Sequence, residues 1–87
     1  MNSDLVRELF KGLDDDEVLR IELINGNKIY CLPSDNVFVA PAKVKIMKTI
    51  KKGKYQIIII DPNAVAVVCT MSRRTYDEKL KMGTLYV

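Results

Sequence analysis

The sequence predicts a single, mainly β domain: an N-terminal helix, a five-stranded and strongly bent antiparallel small barrel, and a short C-terminal helix or arm. Three observations lead to this fold class. An amphipathic segment comes first, about five strand-like runs follow with only tight turns between them, and a second amphipathic segment comes last. A flat sheet would leave unprotected edges, whereas a bent barrel protects them. We expect the helix at 3–12, the barrel at 17–70 and the helix or arm at 71–87.

The first predicted element is a short helix. Ser3 has the side chain of an N-cap, and Asp4 lies where a negative charge favours the positive end of the helix dipole. Apolar residues recur four positions apart between Leu5 and Phe10, which gives the segment one apolar side. Gly12 is placed to end the helix.

The first hairpin follows this helix. Apolar and charged residues alternate from Leu19 to Leu23, as in a strand with one buried face. Asn25 and Gly26 come next, and this dipeptide predicts a type I′ turn, in which both central residues have positive φ. The return strand is expected to begin at Lys28.

The middle of the chain alternates extended segments with breaks. Pro33–Asn36 interrupt the return strand, and extended structure is expected again at Val37–Val39. Pro41 either breaks the ladder a second time or marks an edge. A strand with one apolar face is expected over Lys43–Ile50. Lys48 falls on its apolar side, so we expect it near an edge, where its charged head can reach water.

The run KYQIIIIDP, residues 54–62, contains four consecutive isoleucines. Because successive strand residues point to opposite faces, only one pair of isoleucines can enter the core of the domain. The other pair must be covered by the N-terminal helix, the C-terminal arm or another subunit. A tight turn at residues 61–63 then leads into a final strand from Ala64 to Thr70.

The last predicted element is a second short helix. Thr75 and Glu78 match a capping box, Tyr76 and Leu80 line one side of the helix, and Gly83 ends it. The apolar residues after this glycine either pair as an extra strand or dock on a neighbour.

Two segments carry a resemblance to a known family. VLRIELINGNKIYC, residues 18–31, is similar to the first Sm motif, in which a strand ending in leucine, here Leu23, leads through a glycine turn, here Gly26, into a second strand. IIIIDPNAVAVVC, residues 57–69, is similar in shape to the second Sm motif. Over about residues 3–70 the chain therefore resembles the Sm-like family of Sm, Lsm and Hfq proteins. The resemblance implies an N-terminal helix followed by a five-stranded, highly bent barrel.

The chain departs from the family pattern where RNA would be bound. Residues 61–63 read Asp-Pro-Asn at the turn that carries the family's binding residues. Cys31 stands in place of a usual glycine, and Asp35 and Asn36 are adjacent where the family spaces its aspartate and asparagine. The resemblance therefore supports a small barrel, an outline that SH3-like barrels share, better than it supports RNA binding.

Catalytic chemistry has few residues to use. The chain has no histidine that could activate a cysteine, and its four glycines are too scattered to form a phosphate-binding loop. Cys31 and Cys69 are expected to be reduced core residues rather than a disulfide. Asp14–Asp16 lack the spacing of a calcium loop and read as a solvated linker. We expect no enzymatic activity, no cofactor, no metal and no small-molecule substrate.

Localisation is predicted from two further patterns. No apolar stretch approaches the roughly 18–20 residues of a membrane span. The N-terminal segment also lacks the basic and apolar regions of a secretory signal. We therefore expect a cytoplasmic protein with no membrane partner.

Charge predicts one kind of partner. Residues 1–24 are mainly acidic, whereas residues 41–56 contain six lysines and no acid. A basic segment attracts phosphate backbones, and aromatic side chains near it can stack on bases. A solvated lysine-rich strand edge is the alternative, and Tyr55 could equally be a strand tyrosine that packs on a neighbour. The candidate residues for binding RNA or another polyanion are Lys43, Lys45, Lys51, Lys52, Lys54, Tyr55, Arg73 and Arg74.

Apolar residues predict a second kind of partner, another copy of the chain in a homo-oligomer. The candidate interface residues are Ile57, Ile58, Ile59, Ile60, Ala64, Ala66 and Val68. Two functions follow from these patterns. The first is an oligomeric barrel that binds RNA or another polyanion, and the second is a structural or protein-interaction module with no nucleic-acid role.

Overall fold

The structure is a computed structural model that describes residues 2–86. It is mainly β, with one helix at each end of the strand region, as the sequence predicts. The elements in chain order are α1 Asn2–Lys11, β1 Glu17–Leu23, β2 Lys28–Cys31, β3 Asn36–Ala40, β4 Lys43–Lys51, β5 Lys54–Ile60, a 3-10 turn Pro62–Ala64, β6 Val65–Ser72 and α2 Arg73–Met82.

The six strands form two antiparallel three-stranded sheets, with strand orders β2-β1-β6 and β3-β4-β5. The predicted arrangement of five strands in one barrel is corrected here. The predicted break in the return strand is present at residues 32–35, but the strands on either side of it, β2 and β3, belong to different sheets. Within the described strands, β5 pairs only with β4 and β6 only with β1, so the barrel is not closed. Pro33 contributes to the division because it lacks the N–H that a continuous ladder needs.

The main core lies between the inner faces of the two sheets. Leu19 and Ile21 of β1 and Val44 and Ile46 of β4 are fully buried there, together with Val6 of α1. Full burial of an aliphatic side chain of this size contributes about 1.5–3 kcal/mol. The apolar side of α1 therefore fixes the helix against both sheets.

A second, smaller core lies on the outer side of β2-β1-β6. Val18, Tyr30 and Leu85 are buried in it, and Met71 and Tyr76 pack against them. The Tyr30 hydroxyl donates a hydrogen bond to the Leu85 carbonyl at 2.5 Å. The C-terminal arm thus docks on its own sheet, where the sequence predicted an extra strand or a contact with a neighbour. Val87 lies outside the described residues.

The capping residues of the helices were predicted less well than the helices themselves. The first helix already includes Asn2, so Ser3 is not its N-cap. In α2 the N-cap is Ser72, whose Oγ accepts the Thr75 N–H at 3.1 Å, and the predicted Thr75–Glu78 capping box is wrong. Gly83 does end α2, in a left-handed conformation with φ 73°.

The β1–β2 turn also differs from the prediction. Gly26 has φ 89°, but no non-glycine residue described has positive φ, so Asn25 cannot occupy a type I′ turn. The Leu23 N–H donates to the Asn27 carbonyl at 2.8 Å, and the Gly26 N–H donates to the Leu23 carbonyl at 2.9 Å. These bonds enclose a three-residue loop in which the glycine supplies the left-handed position. The hairpin is confirmed and its turn type is corrected.

Candidate nucleic-acid interface

The outward side of β3-β4-β5, which we call the open face, gathers several of the predicted binding residues. The strand register places Phe38 opposite Lys45 and Lys45 opposite Ile59. Residues two positions apart in a strand point to the same side of the sheet, so the register of Phe38, Lys45 and Ile59 identifies every outward residue of the three strands. The outward residues are Asn36, Phe38, Ala40, Lys43, Lys45, Met47, Thr49, Tyr55, Ile57 and Ile59.

The apolar members of the open face are more exposed than is usual for such residues. Phe38 is 55% exposed, Tyr55 56%, Ile57 54% and Ile59 63%. No described helix or loop buries them. A contiguous exposed apolar surface of this kind usually marks a site of interaction with another molecule.

The isoleucine run divides as strand alternation requires. Ile58 and Ile60 pack in the main core, and Ile57 and Ile59 lie on the open face. The prediction that one pair enters the core is therefore confirmed. Neither α1 nor the C-terminal arm buries the outer pair in the described chain, so another subunit is the predicted cover that remains.

The other predicted interface residues do not form one surface with the outer isoleucines. Val68 is half-buried against the main core, and the Ala64 carbonyl accepts the Ile24 N–H at 2.8 Å. Ala66 is exposed on β6, in the other sheet. The structure thus divides the predicted interface set between the core, β6 and the open face.

Charge on the β3-β4-β5 sheet has one sign. Residues 36–60 contain six lysines and none of the chain's 11 acidic residues. Among the described residues, the only one of these lysines in an ion pair is Lys48. Lys43 and Lys51 stand at opposite ends of β4, roughly 27 Å apart along the strand. The lysines therefore frame the open face at both ends instead of forming one cluster.

Tyr55 joins the aromatic and cationic parts of the site. It lies opposite Thr49, one residue after the exposed Lys54 and beside the turn that holds Lys51 and Lys52. With 56% of its surface exposed, this side chain is not enclosed by neighbouring strands. Its ring is available for stacking at the end of the face that has the most lysines.

The predicted arginines lie elsewhere. Arg73 and Arg74 begin α2, which packs on β6 and β1 of the other sheet. The Arg73 Nε lies 3.0 Å from Asp77 Oδ1, and the Arg74 Nε lies 3.4 Å from Glu78 Oε1. These i,i+4 pairs neutralise both guanidinium groups locally. The structure does not bring the arginines together with the lysines of the open face.

Tyr76 is likewise removed from the candidate interface. Its ring centroid lies 5.5 Å from that of Tyr30 in the second core, and burial raises the pKa of its hydroxyl. The guanidinium of Arg73 lies over the same ring, 5.7 Å from the centroid. This tyrosine helps to hold α2 on its sheet.

On the inner side of the β3-β4-β5 sheet lies a partly buried ion pair that was not predicted from the sequence. Lys48 Nζ lies 2.6 Å from Asp35 Oδ2 and donates to the Tyr30 carbonyl at 2.5 Å. The same Asp35 oxygen accepts the Leu32 N–H at 2.8 Å. Lys48 belongs to the central strand of its sheet, but β3 pairs with β4 only as far as Met47, so Lys48 does lie beside an open edge, and its ammonium meets Asp35. The sequence did contain one indication of it: Lys48 falls at a position of β4 that points inward, where a lysine needs an acidic partner.

This ion pair ties the two sheets together. Asp35 lies in the connection between β2 and β3, and its side chain is only 5% exposed. Lys48 lies on β4, so the pair fixes the connection against the sheet that carries the open face. A buried carboxylate without its cation would be strongly unfavourable, which makes the contact sensitive to loss of either partner.

Two concave regions lie beside the open face. A groove of ≈ 490 Å³ runs between β5 and the β1–β2 hairpin, and its walls include Leu23, Ile29 and Ala64. A second depression of ≈ 350 Å³ lies between α1 and the β3–β4 and β5–β6 turns. Within residues 2–86, no group of three or more histidine, cysteine, aspartate or glutamate side chains could hold a metal.

Cys31 is too deeply buried to be an activated nucleophile. Both thiols are free, and burial raises the pKa of Cys31 to about 12. Cys69 Sγ accepts a long contact of 3.6 Å from Arg20, which also pairs with Glu22 at 3.0 Å. The Cys31 thiol therefore stays protonated at neutral pH and packs as a small apolar side chain.

Comparisons with family models, with curated proteins and with solved structures find no match. In the described part of the chain, no helix has the length and apolar character needed to cross a membrane.

Proposed function

We propose that this chain is a non-enzymatic RNA-binding module and that the open face is where the RNA binds. One observation carries the proposal: Phe38 and Tyr55 are both more than half exposed on a sheet whose strands contain lysines and no acid. Binding of single-stranded nucleic acid requires cations that follow the phosphates and aromatic rings that stack on bases. The open face supplies both.

The fold is the second part of the proposal. If β2 and β3 are counted as one interrupted strand, a helix is followed by five strands, which is the plan of the Sm-like family. This count supports the idea that the domain is an open variant of that small barrel. The residues proposed to bind RNA are nevertheless those of the open face and not those of the 61–63 turn.

Electrostatics favour a polyanion over a second copy of the same face. Two open faces packed against each other would bring lysines of both copies together, with no acidic residue from either face between them. A phosphate backbone supplies the opposite charge and releases its counterions on binding. The apolar residues between the lysines then contact bases.

The proposal is tested by the salt dependence of RNA binding. A 5′-labelled single-stranded RNA should bind at low salt, and its affinity should fall with a log–log slope of about −0.7 for each phosphate contacted. Lys51→Glu/Lys52→Glu should weaken binding strongly. The control Lys79→Glu/Lys81→Glu removes the same charge from exposed positions on α2 and should have a smaller effect. Absence of any RNA binding at low salt would contradict the proposal.

A second candidate function is self-association without any nucleic-acid role. The observation that favours it is the exposure of two aliphatic side chains, Ile57 and Ile59, which stack on bases less well than aromatic rings. The solution mass at high protein concentration decides this point. A mass above 9.9 kDa that falls on Ile59→Ser would support assembly through the open face, and a mass of 9.9 kDa would exclude it.

A further inference from the structure

We propose that the open face selects single strands over duplexes, stacks one base on Phe38 and another on Tyr55, and has little base preference. This inference rests on the proposed RNA-binding function and adds the class of nucleic acid, the path of the strand and the source of affinity. It follows from where the two rings stand and from the types of side chain between them.

The two rings lie on the two edge strands of the open face, Phe38 in the middle of β3 and Tyr55 near the start of β5. Phe38 on β3 and Ile59 on β5 are separated by two strand spacings, about 10 Å in total. Tyr55 lies four residues before Ile59 on the same strand, about 13 Å away. The diagonal from Phe38 to Tyr55 is therefore roughly 16 Å. A stacked strand advances about 3.4 Å per nucleotide, so about five stacked nucleotides, or fewer extended ones, connect the rings.

The surface between the rings suits unpaired bases. Met47, Ile57 and Ile59 form an apolar floor, and Lys45 lies between Phe38 and Ile59 where it can meet a phosphate. In a duplex the bases are stacked on each other and their faces are not accessible to these side chains. A duplex could use the lysines alone, so the aromatic contribution to its affinity would be lost.

Low base preference follows from the scarcity of groups that read base edges. Among the outward residues of β3, β4 and β5, the neutral polar groups are the side chains of Asn36 and Thr49 and the hydroxyl of Tyr55. Stacking accepts every base because every base has a π-face. Strands of different composition should therefore bind with affinities within about tenfold of one another.

The test compares aromatic variants on a fixed set of labelled RNAs. The probes are single strands of about 2, 4, 8 and 12 nucleotides and a 12-base-pair duplex, a range that covers small-barrel site sizes. Phe38→Ala and Tyr55→Ala should each weaken binding of the 8-nucleotide strand by about 5- to 100-fold. Phe38→Tyr and Tyr55→Phe, which retain the rings, should bind like the original chain. Leu80→Ala removes an apolar side chain that is 54% exposed on α2, which packs on the other sheet, and serves as the control.

Affinity should rise steeply between the 2- and 8-nucleotide strands, and the duplex should bind at least tenfold more weakly than the 12-nucleotide strand. Equal affinity for strand and duplex would overturn the inference. So would full affinity of both alanine variants while Lys51→Glu/Lys52→Glu binds weakly, although that result would leave the proposed function standing. Failure of the original chain to bind any of the probes would remove the proposed function itself.

Discussion

The two sheets of this domain have the same number of strands, but their outer sides differ. On β2-β1-β6, α2 and the C-terminal arm bury Val18 and Tyr30. No described element covers the outer side of β3-β4-β5, and Ile57 and Ile59 are exposed there. The comparison indicates that an apolar outer face contributes to the core when another part of the chain covers it. It is available for binding when no part of the chain does.

Charge separates the two sheets in the same way. The covered sheet pairs opposite charges, as in Arg20 with Glu22 at 3.0 Å, and α2 continues this with Arg73 and Asp77. The other sheet has lysines and no acid. Opposite charges that pair within the chain stabilise it locally, whereas unpaired charges of one sign attract a partner.

Loss of the link between the sheets should have the largest effect on stability. Asp35→Ala leaves the Lys48 ammonium without its carboxylate and the Leu32 N–H without its acceptor. We expect the free energy of unfolding to fall by about 3 kcal/mol. Urea denaturation measures the change. Asp77→Ala, which removes an exposed pair, should cost less than about 1 kcal/mol, and an equal cost for both variants would contradict the account.

The second-largest loss of stability should come from removing a side chain of the C-terminal arm that covers the second core. Leu85→Ala removes a side chain that is 4% exposed and packs with Val18 and Tyr30. A large-to-small change at a buried site of this kind costs about 2–3 kcal/mol. Thermal or urea unfolding checks it, and an unchanged unfolding midpoint would show that the arm does not cover this sheet in solution.

Alkaline pH should destabilise the main core by a smaller amount. Burial raises the pKa of Cys31 from 9.0 to about 12, so the unfolded chain releases this proton at lower pH than the native one. Its contribution is fully present below about pH 9 and is lost as pH rises towards 12, by about 1.4 kcal/mol per pH unit. Unfolding free energies at pH 8 and pH 10 measure the loss.

Cys31→Ala is the control for the pH experiment, because it removes this thiol and keeps every other titratable group. The variant should lose less stability between the two pH values than the original chain. Equal losses would show that the Cys31 thiol is not held protonated by the core.

The smallest stability effect should come from the open face. Ile59→Ala truncates a side chain that is 63% exposed, so the free energy of unfolding should change by no more than about 0.5 kcal/mol. Urea denaturation of this variant beside Leu85→Ala compares the two faces directly. A loss as large as that of Leu85→Ala would mean that Ile59 is buried in solution, by a second copy or by the chain itself.

Local periodicity predicted which way most strand residues point. Strand alternation predicted that one isoleucine pair enters the core, because the period of a strand is two, and the structure shows that this pair is Ile58 and Ile60. The glycines at 26 and 83 were also found correctly as turn and helix end, since left-handed backbone favours residues without a Cβ.

Contacts between distant residues could not be predicted in this way. Asp35 and Lys48 are 13 residues apart, and only the tertiary fold brings a turn carboxylate beneath a strand lysine. The same applies to Arg73 and Arg74, which their charge suggested as binding residues but which the helix carries to the other sheet. The break between β2 and β3 was predicted from Pro33 and its neighbours, but their membership of different sheets depends on contacts between distant residues.

The central claim is that the face left bare by the chain is the face that binds RNA. Backbone amide chemical shifts recorded during titration with an 8-nucleotide single-stranded RNA test it most directly. The account predicts that the largest changes fall on Phe38, Lys45 and Tyr55, with little change at Val18 and Tyr30. Changes concentrated on α2 and β2-β1-β6, or no changes at low salt, would contradict it.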